Sequence, residues 1–133
     1  MPQIQQQPYG VKISLTGFLL QENLNRWLLT FENELEKLDE SVGVFIDARD
    51  LKPIPEESRE ILARGKKLLQ KKKIFRCVLV YNSDSAYLQM KAICNDTDSE
   101  VSDLYIDSRE NPNWEKKGHL WLVTHCEHII RSA

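Results

Sequence analysis

Three groups of side chains have a spacing that chemistry could use. His125-Cys126-Glu127-His128 sets two imidazoles three positions apart with a soft thiol between them, a pattern that suits zinc on a helix. Asp96, Asp98 and Glu100 alternate as calcium-loop ligands do. Asp47 closes an apolar run, the place where a phosphorelay receiver carries its acid. Each set is incomplete. A closed zinc site takes four ligands, and the one further histidine is His119. Val101 stands where a calcium loop needs its glycine. The first strand runs out into Leu19-Leu20-Gln21, which gives Asp47 no second acid with which to hold Mg²⁺. These readings reduce to a helix end, a solvated acidic loop and a strand-terminal acid. No metal, cofactor or catalytic residue is expected.

Other chemistries fare no better. Gly10, Gly17, Gly43, Gly65 and Gly118 are scattered, so no strand–helix junction has the glycine spacing of a phosphate cradle. Cys77 lies inside the most apolar run and should carry an inert, protonated thiol. Ser58, Ser83 and Ser85 fall near helix starts, where serine caps. Lys66, Lys67, Lys71, Lys72 and Lys73 read as a solvated helix end that complements the helix dipole.

The elements that position these residues follow from periodicity. Val11, Ile13 and Leu15 alternate with polar residues, as a strand with one wet face does. A shorter strand around residues 4–6, turned back by Pro8-Tyr9-Gly10, would make residues 1–10 an edge strand or arm. From Asn23 the period changes to steps of three and four: Leu24, Trp27, Leu28, Phe31, Leu35 and Leu38 form the apolar stripe of a helix. Residues 42–47 are a second strand, and a helix runs from about 55 to 70 with Pro55 in its first turn. Residues 74–81 are a nearly continuous apolar run, typical of a parallel strand covered on both faces. A third helix carries Tyr87, Leu88, Met90, Ala92 and Ile93. A short strand at 104–107 precedes a last helix with Trp114, Trp121, Leu122, His125, Cys126 and Ile129 on one side. No internal repeat is apparent.

Strand and helix alternate throughout the 133 residues, which predicts one α/β domain with a mostly parallel sheet of four to five strands and about four helices. Apolar residues at 41%, charged residues at 29% and a net charge of −2 describe an ordinary globular domain and give no bulk field for nucleic acid. No stretch reaches membrane-span length, and the amino terminus has no basic-then-apolar signal pattern. Cys77, Cys94 and Cys126 are odd in number and widely spaced, as reduced thiols of a cytoplasmic protein are.

In an open α/β sheet, partners dock on the loops after the strand C-termini. The loop that follows the second strand holds Asp47, Arg49, Asp50, Pro55, Glu56, Glu57 and Ser58, and these are the candidate partner-binding residues.

The run Val44-Phe-Ile-Asp-Ala-Arg49, then Leu51-Lys-Pro-Ile-Pro-Glu-Glu57, resembles the STAS domains, and most closely the SpoIIAA-like branch grouped with SEC14-like folds. Phe75-Arg-Cys-Val-Leu-Val80, Tyr105-Ile-Asp-Ser108, Asn111-Pro-Asn-Trp114 and Leu120-Trp-Leu122 are similar to its later segments, so the likeness spans roughly residues 11–123. The resemblance implies a bacterial, non-enzymatic module that docks a regulatory protein partner, anti-sigma-factor-like or kinase-like. It implies a phosphorylatable serine at the start of the second helix, but Glu56 and Glu57 stand where those hydroxyls belong and Ser58 comes later. A homodimer through apolar helix surface, the tryptophans included, is a further expectation. The SEC14-like grouping implies an alternative, a carrier of a small apolar ligand or lipid in a cavity lined by Trp27, Phe31 and Trp121.

Overall fold

In a computed structural model the chain is described at residues 2–38, 43–71, 76–95 and 102–132. Side chains are described as far as Cys94 in the third helix and Val123 in the fourth. The acidic run at 96–100, Val42, Lys72, Lys73, Ile74, Phe75 and the side chains of 125–128 lie outside this description.

Five strands, β1 (Gln3–Gln7), β2 (Gly10–Ser14), β3 (Gly43–Ala48), β4 (Arg76–Tyr81) and β5 (Ser102–Asp107), lie side by side in chain order. β1 and β2 form the antiparallel hairpin that the 1–10 segment suggested, and β2 through β5 are parallel. Each parallel step is bridged by a helix: α1 (Gln21–Glu36), α2 (Glu56–Lys71) and α3 (Asp84–Asn95). The last helix, α4 (Trp114–Ser132), follows β5.

The strand period of two splits the core. Val44, Ala48, Cys77 and Leu79 face α1, α2 and α3, whose stripes supply Leu24, Trp27, Phe31, Ile61, Leu69 and Met90. Phe45, Val78, Val80 and Ile106 face the other way and meet Leu122 of α4. Trp114 and Trp121 pack half-buried against this second cluster. Gly118 lets α4 lie close on the sheet: a Cβ there would come within 2.6 Å of the Phe45 ring and 2.9 Å of Val78.

Two residues read as surface polar groups belong to the core. Ser58 and Lys66 sit on the buried stripe of α2 with Ile61, Gly65 and Leu69. Lys66 is 6% exposed, and its ammonium pairs with Asp103 of β5 instead of ending in water. Burial alone would lower this amine, yet it titrates above the ordinary lysine value because its neighbours, among them the Asp103 carboxylate that it bonds, favour the charged form. The Cys77 thiol beside it is pushed up to about 12 by burial, in line with an inert sulfur.

Candidate functional site

The C-terminal ends of β2 and β3 carry two loops that the backbone locks into one surface. The Leu15 N–H donates to the Asp47 carbonyl at 2.9 Å, and the Gly17 N–H donates to the Asp50 carbonyl at 2.9 Å. The Lys52 N–H returns a bond to the Gly17 carbonyl at 3.0 Å. Gly17 has φ +68°, a left-handed conformation that glycine adopts without cost. Past it the chain alternates sharply. Leu19 is fully buried, while Phe18 and Leu20 on either side are 59% and 54% exposed.

Ser58 explains that alternation. Its hydroxyl, 0% exposed, donates to the Leu19 carbonyl at 2.5 Å. It therefore anchors the β2–α1 loop to α2 from inside and is not part of a docking surface, which corrects its place among the candidate residues. The stripe Ile54, Ser58, Ile61, Gly65 in steps of three and four carried this signal. From α3, Gln89 accepts the Ile54 N–H at 3.0 Å and fixes the β3–α2 loop from a third side.

The other candidate residues divide. Asp50, Glu56 and Glu57 are exposed, Pro55 is half-buried just ahead of α2, and Arg49 is exposed. Asp47 is half-buried and tied to Arg49: Nε donates to Oδ1 at 2.9 Å and Nη2 to Oδ2 at 3.0 Å. The Arg49 N–H also donates to Oδ1 at 3.2 Å. Burial works against the Asp47 carboxylate, but the Arg49 bonds and charge, with Lys12, hold it below its usual range. It is a paired structural acid.

β5 ends in the same device. The Arg109 Nε and Nη2 donate to the two Asp107 oxygens at 3.0 and 2.9 Å, and the Arg109 N–H donates to Oδ1 at 3.0 Å. The pattern Ile-Asp-x-Arg-acid thus occurs twice, at Ile46-Asp47-Ala48-Arg49-Asp50 and Ile106-Asp107-Ser108-Arg109-Glu110. Register places Asp47 beside Val80 and Asp107 beside Tyr81, so the clips lie on adjacent rows and face opposite sides of the sheet.

An apolar cavity lies between the sheet and α1–α3, lined in part by Trp27, Phe31, Met90 and Ile93, and its volume is about 60 Å³. Ligand pockets run from about 300 Å³ upward, so this space is too small for a lipid. Trp121, expected in its wall, lies on the opposite face of the sheet. Among the described residues no cluster of three or more His, Cys, Asp or Glu is placed to hold a metal ion, and no helix is long and apolar enough to cross a membrane.

A parallel sheet in chain order, entered by a hairpin, with α1–α3 on one face and α4 on the other, defines a single-domain α/β fold of SpoIIAA-like type. The solved structure of an uncharacterised protein from the DUF3478 family with a SpoIIAA-like fold, from Shewanella loihica, matches it with a TM-score of 0.63 over 92% of each chain. Sequence identity to that protein is 13%. No protein-family model matches the chain, and no curated protein matches it.

Proposed function

We propose that the chain is a non-enzymatic regulatory docking module whose contact surface is the joined β2–α1 and β3–α2 rim. One observation carries this reading: Phe18 and Leu20 are held outward, 59% and 54% exposed, on a loop fixed by backbone bonds and by buried Ser58. A rigid loop that presents two large apolar side chains has already met the ordering cost of binding. Apolar anchors with charged neighbours, here Arg49, Asp50, Glu56 and Glu57, are the composition of a protein interface. The resemblance to anti-sigma factor antagonists suggests a regulatory protein as the partner. Glu56 and Glu57 give the start of α2 a permanent negative charge where that family adds phosphate.

The test is affinity capture from native cytosol, with the intact complex weighed by native mass spectrometry. A stoichiometric protein should be retained by the wild type and lost from both F18S/L20S and E56K/E57K, with thermal midpoints unchanged. A partner that survives both double substitutions would remove the rim as the docking surface. A bound apolar small molecule in place of a protein would favour the carrier.

A further inference from the structure

Because α4 packs over β3, β4 and β5, a cleft of about 310 Å³ opens beside it on the β1–β2 side of that face. Tyr9, Lys12 and Phe45 line it from the hairpin and β3, and Glu115, Lys116 and His119 line it from α4. The close approach at Gly118 forms this cleft, because it brings His119 edge-on to Tyr9 with ring centres 5.4 Å apart. Lys12 reaches over the floor, its ammonium 5.8 Å from the centre of the Phe45 ring.

The volume is in the range of small-ligand pockets, and the lining combines the exposed His119 ring and the edge of Tyr9, 9% exposed, with a few convergent polar groups. Asp47, which the Lys12 charge also reaches, is already spanned by Arg49, and within the lining three basic side chains, Lys12, Lys116 and His119, face one carboxylate. That carboxylate, Glu115, is 69% exposed and lies 3.8 Å from Lys12, the long and solvated kind of pair that contributes little. The Lys12 ammonium is therefore available to an incoming anion. Burial, then Glu115, raises the Tyr9 hydroxyl to about 12, so it meets a ligand as a neutral donor.

We propose that this cleft binds a small planar aromatic anion of the aryl carboxylate class, with its ring against His119 and the edge of Tyr9 and its charge between Lys12 and Lys116. The site is independent of the rim and stands whether or not the rim docks a protein.

Titration of the isotope-labelled full chain with benzoate and with benzamide, its neutral analogue, tests the assignment by NMR. Saturable benzoate shifts at Tyr9, Lys12 and His119 are expected, with benzamide at least tenfold weaker. K12M and K116M should each weaken benzoate at least fivefold while leaving benzamide unchanged. Unsaturable shifts, equal binding of the two probes, or benzoate binding indifferent to both lysines would each overturn the proposal. K116M alters an exposed side chain, so it decides the matter if K12M does not fold.

Discussion

The guanidinium carbon of Arg49 lies 4.0 Å from the centre of the Trp114 ring, so the arginine that grips Asp47 also seats the first residue of α4. Arg109 is its counterpart: it grips Asp107 and donates from Nη2 to Asp84, the first residue of α3, at 2.6 Å. The same clip at two strand ends therefore positions two helices, one on each face of the sheet. The planar fork matters here, because an ammonium can neither span both Asp47 oxygens nor stack on an indole in the same way. R49K should lower stability by about 1 kcal/mol, read as a shift of the urea midpoint with an unchanged slope. An R49K midpoint equal to wild type would show that the pairing is decorative.

The Asp47 carboxyl is held below its ordinary value, and this gives the clip a pH dependence of known sign. Its stabilisation is complete above the unfolded value of about 3.9 and is lost as pH falls through the folded value. The stability difference between wild type and D47N should accordingly be constant near neutrality and shrink below about pH 4. A difference independent of pH down to 2 would show that the carboxylate charge contributes nothing.

Lys66 and Asp103 form the one buried ion pair among the described residues, at 6% and 17% side-chain exposure. Removing one member leaves the other charge buried without its partner, so K66M alone should cost about 3–5 kcal/mol. K66M/D103L removes both charges, and it should recover most of that loss. Urea unfolding of the two variants checks this. A double variant no more stable than K66M would mean that the pair is held by packing of the Lys66 stem.

The frame of this fold was legible because apolar periodicity alone marks it. The alternation at Val11 and Ile13, the stripe Leu24-Trp27-Phe31-Leu35 and the run through 77–80 each fall on the expected element, with Leu15 one residue past the end of β2. Polar residues on a buried stripe were not legible from type, because lysine at a helix end and serine at a helix start both read as solvated. Position along α2 would have shown them, since Ser58 and Lys66 are three before Ile61 and three before Leu69. Likewise Asp47 and Asp107 gave no sign that they face opposite sides of the sheet. That depends on which residue of β4 pairs with each, a tertiary fact.

Ser58 provides the sharpest test of how the rim is displayed. Its hydroxyl is the donor that holds the Leu19 carbonyl inside, and Leu19 is the buried residue between exposed Phe18 and Leu20. Alanine would leave that carbonyl buried without its partner, at a cost of about 1–3 kcal/mol. The loss should be local in effect. In S58A, amide hydrogen exchange at 17–20 should accelerate more than the global loss of stability accounts for, while exchange in β4 follows the global change alone. Docking that depends on a fixed Phe18–Leu20 edge should weaken in parallel, because the loop must then be ordered at the moment of binding. If exchange at 17–20 accelerates only as much as in β4, the serine stabilises the whole core, and Gly17 with its backbone bonds to Asp50 and Lys52 is what holds the edge in place.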